Sequence, residues 1–262
     1  MSELVRYESR PPAVLLTIER ADKRNALSRE LIAALAAAFQ KAKTDPAARC
    51  VILTGAGPTF CPGMDLAELR ESIEAKSDSN VWDDALALAK LYDLIYTLPK
   101  PTIAAVNGAA VAGGAGLVTV CDLAVGIPEA KFGYPEVRRG LVAAMVMPHL
   151  LRHVGERTAR YLLLTGELID AAEAHRCGLI NEVVPAERML PRALELAKSL
   201  AEGGPQALAA TKDLLHQFSR QALSIQQAAQ ASAAPRLSDE CRQGLTAFFD
   251  KKPSPWTTSQ PG

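Results

Sequence analysis

The chain has no excess charge of either sign: 29 basic and 29 acidic residues cancel to a formal net charge of zero. That balance excludes the basic footprint of a nucleic-acid-binding protein. Aromatic residues are scarce at 5% of 262 positions, too few for a surface on which single strands stack. There are five cysteines, Cys50, Cys61, Cys121, Cys177 and Cys241, widely spaced and without a C-x-x-C pair. An odd, scattered set argues against a disulfide framework or a zinc site, and free thiols fit a reducing cytoplasm. No uninterrupted apolar run reaches the length of a membrane span. The opening residues M-S-E-L-V-R-Y-E-S-R lack the apolar centre of a secretory signal. The expectation is a cytoplasmic protein with neither nucleic acid nor membrane as partner.

What is present is a composition 48% hydrophobic, enough for one large core or two small ones. Ala13 to Ile18 reads as a strand, and Ser28 as the N-cap of a helix carrying Leu31, Leu35 and Phe39 through Lys43. Asp45-Pro46 ends that helix, and a strand at Arg49 to Leu53 follows. Val81 to Thr97 predicts a long helix, Thr102 to Val106 a buried strand and Gly113 to Val120 a short packed helix. Short strands are expected at Leu123 to Gly126 and Ala130 to Phe132. From about Pro148 the pattern is helical, at Met147 to His153, Glu156 to Leu164, Ala171 to Arg176, Glu187 to Ala201, Pro205 to Ser219, Gln221 to Ala233 and Ser238 to Asp250. Only a strand at Leu179 to Val184 interrupts it. The tail from Lys252 is rich in Pro, Ser and Thr and is loose or rests on a neighbour.

Two segments carry chemistry. In Ile103 to Gly116, I-A-A-V-N-G-A-A-V-A-G-G-A-G, a strand runs into glycines that open a helix. Helix N-terminal N–H groups lack intrahelical partners, and the helix dipole adds positive potential there. Glycine lets a ligand approach the backbone. Three readings compete: close packing through small residues, a dinucleotide fingerprint, and a site for a developing oxyanion. The fingerprint fails, because the spacing is not G-x-G-x-x-G and the nearest acid is Asp122. In Leu53 to Leu66, L-T-G-A-G-P-T-F-C-P-G-M-D-L, a second strand enters a Gly/Pro loop, and a short helix begins near Asp65. Each turn can supply one N–H to a single oxygen.

At this point the sequence resembles the crotonase, or enoyl-CoA hydratase/isomerase, family. Four ordered segments carry the resemblance: Glu19 to Ser28, Phe60 to Leu66, Lys100 to Leu117 with Cys121-Asp122, and Lys131 to Leu141. Ala171 to Pro185 and Phe248 to Lys252 extend it. The resemblance implies an α/β spiral of ββα units, with a core over residues 1–200 that holds CoA and the active site. It implies a helical region over 201–262 that oligomerises as a homotrimer or dimer of trimers. It also implies an acyl-CoA thioester substrate, with CoA as part of the substrate and no separate cofactor. The backbone N–H groups of Met64 and Gly113 map onto the oxyanion hole. The adenine of CoA is expected near Asp65 and Leu66, with Ala26 beside it. Lys23, Arg24 and Lys251 or Lys252, the last pair from a neighbour, are expected to meet its phosphates or simply to be solvated.

Family hydratases commonly carry two catalytic glutamates. Here the second position is Glu136 and the first is Gly116, which has no side chain. Glu136 alone reads either as a solvated acid or as a partly desolvated proton shuttle. One glutamate suits an isomerase, whereas P-E-V-R-R-G-L-V-A-A resembles hydratases of branched enoyl thioesters. Hydration is the preferred expectation. Isomerisation, thioester hydrolysis, carbon–carbon cleavage and non-catalytic acyl-CoA binding are the alternatives. Arg138 and Arg139 are expected to be structural more than substrate-facing. Asp122 is expected to be structural, and His149 and His153 share a helical face without a third metal ligand nearby. Ile73 to Leu91 and Val142 to Met147 are the expected pocket walls.

Overall fold

The computed structural model describes residues 4–75, 78–218 and 225–252. It opens with an antiparallel hairpin of β1 (Val5–Arg10) and β2 (Ala13–Ile18). Every residue of β2 is buried, which fits a strand covered on both faces. Helix α1 (Arg29–Thr44) starts where Ser28 Oγ accepts from the Leu31 N–H at 3.2 Å. It buries Leu31, Leu35 and Phe39 at helical spacing and stops at Asp45.

Strands then alternate between two sheets. β3 (Cys50–Gly55), β5 (Thr102–Val106), β7 (Leu123–Gly126) and β10 (Glu182–Val183) extend the first sheet in the order β1-β2-β3-β5-β7-β10, parallel beyond the hairpin. β4 (Thr59–Cys61), β6 (Ala109–Val111), β8 (Lys131–Gly133) and β9 (Leu168–Asp170) make the second, in that order. After each pair the chain returns through helix: α2 (Leu66–Glu74) and α3 (Asp78–Tyr96) after β3 and β4, α4 (Gly113–Thr119) after β5 and β6, α5 (Met147–Thr165) after β7 and β8. This is the expected spiral of ββα units. Helices α6 (Ala171–Arg176), α7 (Ala186–Ala201), α8 (Pro205–Phe218), α9 (Ile225–Arg236) and α10 (Asp239–Phe249) complete the described chain.

Several boundaries differ from the sequence pattern. The three-residue strands β4, β6 and β9 fall where loops are expected, because so short a strand shows no periodicity. β1 is also unanticipated, and of Leu179 to Val184 only Glu182–Val183 pairs. The two helices expected on either side of Gly155 form one element, α5, broken at that glycine (φ 69°, ψ 169°). Ser219, the start of the helix expected from Gln221, and the tail beyond Lys252 lie outside the described residues.

The largest apolar cluster spans the first sheet, α1 and α7. Two smaller clusters tie the C-terminal helices to the front of the chain. Val81, Ala85 and Ala89 of α3 meet Ala229 and Ala233 of α9. Leu69 and Ile73 of α2 meet Cys241 and Leu245 of α10. The last helices therefore fold back over the two turns that carry the chemistry.

Candidate active site

Both glycine-rich turns lie where the two sheets meet. Two asparagines, one of them buried, fix the first. Asn25 accepts from the Arg20 N–H at 3.1 Å and donates to the carbonyls of Ala56 and Thr59 at 2.9 and 2.6 Å. Asn107 accepts from the Gly55 N–H at 3.1 Å and donates to Gly57 O at 2.8 Å. Leu27 then brackets Met64: its N–H donates to Gly63 O and its carbonyl accepts from Asp65, at 2.8 and 2.9 Å. Asp65 caps α2 through Ala67 N–H at 3.0 Å and pairs with Arg20 at 2.8 Å.

The second turn is pressed against the first. A Cβ on Gly63, whose φ is +96°, would lie 3.0 Å from Gly113 N. A Cβ on Gly114 would lie 1.9 Å from Cys61 O, so only glycine permits this approach. Ala112, just before Gly113, sits at φ 52°, ψ −124°, a region that a non-glycine residue enters only when its surroundings force it. Neither the Met64 nor the Gly113 N–H donates to a protein acceptor among the described residues. Gly114 thus serves close packing, and Gly113 opens α4 with its N–H uncommitted among the described residues.

Met64, Gly113 and Glu136 line one cavity of about 550 Å³. Arg24, Ala26 and Leu66 also line it, as do Leu88 and Tyr92 of α3 and residues 141–146. Lys23 lies exposed in the turn Ala21–Lys23, and Lys252 pairs with Asp250 at 3.2 Å; neither lines this cavity. Glu136 sits in a 3-10 turn, Pro135–Arg139, closed by Gly140 at φ 69°. Its Oε2 is buried and has no hydrogen-bond partner among the described residues. Burial pushes the carboxyl up to about 7, against weaker lowering by a backbone hydrogen bond and by Arg139. A carboxyl poised there takes or gives a proton near neutral pH.

The position of the missing acid is occupied. A Cβ on Gly116 would lie 2.5 Å from both the Tyr92 hydroxyl and Val146 Cγ1. Tyr92 is buried, and its hydroxyl donates to Gly113 O at 2.6 Å. The side chain filling the space beyond Gly116 therefore holds the residue that presents the second N–H. The C-terminal region adds Ser232 and Arg236 from α9 and Phe248 from α10 to the cavity.

A model of the family described as enoyl-CoA hydratase/isomerase matches residues 12–259. The chain belongs to the enoyl-CoA hydratase/isomerase family. A protein of Thermus thermophilus provisionally named an enoyl-CoA hydratase is 44% identical over 234 residues, covering 88% of this chain and 92% of the relative. An enoyl-CoA hydratase of Mycobacterium tuberculosis is 35% identical over 252 residues, covering 94% and 93%. A solved structure from Mycobacterium avium paratuberculosis, provisionally named an enoyl-CoA hydratase, superposes with a TM-score of 0.84 at 35% identity. That match covers 97% of this chain and 100% of the other.

Gly116, where the two-glutamate pattern expects an acid, lacks room for a side chain as well as the charge. The remaining polar candidates have local partners. Asp122 accepts from the Thr102 N–H at 2.7 Å and from Lys212 at 2.6 Å, tying β5 to α8. Arg138 donates to Thr165 O at 3.1 Å. Arg139 donates to Pro135 O at 3.4 Å, lies 4.7 Å from the Phe248 ring centroid and lines the cavity. His153 Nε2 lies 2.9 Å from Thr119 O, and His149 Nδ1 lies 3.1 Å from Arg152. Among the described residues no three metal-ligating side chains cluster, and no helix is long and apolar enough to cross a membrane. Sequence reading gives Tyr92, Ser232 and Arg236 no individual part in the site. Tyr92 and Ser232 stand alone in ordinary helical patterns, Arg236 falls between two expected helices, and only the packing of α9 on α3 brings them together.

Proposed function

We propose that the protein hydrates a 2-enoyl-CoA. What carries this reading is one cavity that joins two uncommitted backbone N–H groups, at Met64 and Gly113, with the buried Glu136 carboxyl. Glu136 takes a proton from water as the hydroxyl adds to Cβ of the enoyl thioester. The electron pair of the C=C bond moves to the thioester oxygen, where the two N–H groups hold the enolate. They bind that charge more strongly in the transition state than in the ground state. Glu136 then returns its proton to Cα, so water adds across one double bond and the acid ends as it began. CoA belongs to the substrate, and no other cofactor enters.

Arg24, Ala26 and Leu66 line the CoA-facing wall in this reading. Lys23, and Lys252 from a neighbouring copy, supply outer positive charge. The Asp65 carboxylate is committed to Arg20 and to α2. Assembly as a homotrimer or dimer of trimers is supported by apolar side chains left in the open, Leu164 and Leu168 on one side and Leu214 and Leu215 of α8 on another. The five free thiols suit the cytoplasm.

A second reading has an observation of its own. With Tyr92 and Val146 filling the space beyond Gly116, one acid remains, and one acid suffices to move a proton between the α and γ carbons. Crotonyl-CoA and 3-hexenoyl-CoA separate the two. Loss of the enoyl thioester absorbance of crotonyl-CoA with an 18-dalton mass gain supports hydration. A double-bond shift in 3-hexenoyl-CoA with no hydration of either compound overturns it in favour of isomerisation. Binding without turnover of either overturns both.

A further inference from the structure

Arg236 closes α9 with only 4% of its surface exposed, and it lines the cavity that holds Glu136. Its Nη2 donates to Ser232 Oγ at 3.0 Å, and Ser232 is itself buried. Its Nη1 is buried and has no partner among the described residues. The acid whose field reaches Arg236, Asp84, is engaged elsewhere. Asp84 takes two bonds from Arg29, at 2.7 and 3.0 Å, and one from Ser72 at 2.9 Å. Other arginines of this chain have carboxylates in direct contact: Arg20 with Asp65, and Arg192 with Glu182. Of the other two guanidiniums in the cavity wall, Arg24 is exposed, and Arg139, whose Nε also lacks a partner among the described residues, donates to Pro135 O, lies against the Phe248 ring and sits in the field of Glu136. Arg236 is thus a buried cation whose Nη1 is unpartnered and which has no carboxylate in contact among the described residues.

An unpaired buried charge is costly, and the cost falls away when an anion enters and accepts from the free N–H groups. The guanidinium fork matches a carboxylate in two parallel bonds. The location narrows which anion this is. Tyr92, Glu136 and Arg236 line the same cavity. Ser232 and Arg236 belong to α9, which packs on α3 beside Leu88 and Tyr92. On the hydratase reading this wall is left for the acyl group, because Arg24 and Leu66, on another part of the lining, are the residues expected to meet CoA.

We propose that Arg236 receives a carboxylate at the far end of the acyl group. The substrate is then the mono-CoA thioester of a short unsaturated dicarboxylic acid, with the free carboxylate a few carbons beyond the double bond. This rests on the hydratase reading for the double bond but not for the carboxylate.

The test compares length-matched pairs on the full-length enzyme: glutaconyl-CoA against 2-pentenoyl-CoA, and 2,3-didehydroadipyl-CoA against 2-hexenoyl-CoA. Calorimetry with the saturated analogues glutaryl-CoA and pentanoyl-CoA, and with free CoA, runs beside it. The expected wild-type preference in kcat/KM for the carboxylated member is about 100-fold for at least one pair. Arg236→Met removes most of that ratio, and Arg236→Lys keeps part of it. Equal use of both members by the wild type, or preference for the neutral one, overturns the proposal. So does a loss in Arg236→Met that is equal for both members, which marks a structural role. An equal loss for free CoA assigns the guanidinium to a CoA phosphate instead and also overturns it. Should Arg236→Met not fold, the wild-type ratios decide. Tight glutaryl-CoA binding with no turnover of any thioester sinks the hydratase reading and leaves the carboxylate site standing. Turnover without preference does the reverse.

Discussion

Replacing Glu136 by glutamine should destroy activity and stabilise the protein, and the second effect should depend on pH. The carboxyl is held near 7 in the folded protein, against an ordinary value of 4.5, because burial disfavours its charged form. Below pH 4.5 the acid is neutral in both folded and unfolded chains and costs nothing. Between the two values the unfolded chain releases the proton and the folded one keeps it, so stability falls as pH rises. Above about 7 both states are ionised and the full penalty applies. At 1.36 kcal/mol per pKa unit it approaches ~3 kcal/mol at pH 8 and is ~1 kcal/mol at pH 5. Glutamine mimics the neutral acid and escapes the penalty. At a few degrees per kcal/mol, Glu136→Gln should raise the midpoint of thermal unfolding by about 5–10 °C at pH 8 and by about 2–4 °C at pH 5. Turnover of crotonyl-CoA by the same variant should fall by at least about 10²-fold. In the wild type, kcat/KM should decline tenfold per pH unit below an apparent pKa of about 7, because the base must be ionised to accept a proton. Differential scanning at fixed protein concentration and stopped-flow absorbance check each part. A stability gain that is the same at both pH values, or a loss at pH 8, would refute the account of Glu136 as a carboxyl desolvated for its task.

Tyr92→Phe removes the bond from the buried phenol to Gly113 O; a loss of ~1 kcal/mol in denaturant unfolding is expected. Its kcat/KM should drop about tenfold, less than the 10²–10³ seen when an oxyanion donor itself is lost. Asn25→Ala strips three bonds from the loop that sets Met64, and the midpoint of thermal unfolding should fall by about 5–15 °C. An unchanged midpoint would mean that Asn107 and Leu27 hold the loop without it. Gly116→Ala drives a methyl against Tyr92 and Val146 and should cost ~1–3 kcal/mol. Val146→Ala in the same chain should recover part of that cost, so a double-mutant cycle that comes out additive contradicts the packing described here.

The parts of the site legible in the sequence are those written in contiguous residues. A strand, a run of glycines and a helix start can be read directly from Ile103 to Gly116, and the Pro-Glu turn places Glu136 just beyond a strand. Those are local signals, because backbone N–H groups at a helix start and a turn-borne carboxyl are set by near neighbours. Tyr92 and Arg236 are illegible for the converse reason. An aromatic at a core-facing position of α3 looks like any packed side chain. A basic residue in the last turn of an alanine-rich helix looks like a partner for the helix dipole. Their parts depend on α9 lying along α3, a contact between segments far apart in sequence, and no spacing rule reaches that far. β4, β6 and β9 of the second sheet are hidden similarly, since pairing with distant strands, not their own pattern, makes them strands.

Gly116 is where the two kinds of information meet. Sequence shows that an acid is missing; packing shows that its place is not vacant. The volume beyond the glycine is occupied by a buried phenol that donates to Gly113 and by Val146, both within 2.5 Å of where a Cβ would begin. A glutamate cannot be restored there by one substitution. It would displace the hydroxyl from Gly113 and bring a second carboxyl into a cavity whose first is already hard to ionise. The absence of the acid and the presence of Tyr92 are therefore one structural choice. In the proposed reaction it leaves proton transfer to Glu136 alone and gives the space of the second acid to the residue that holds Gly113.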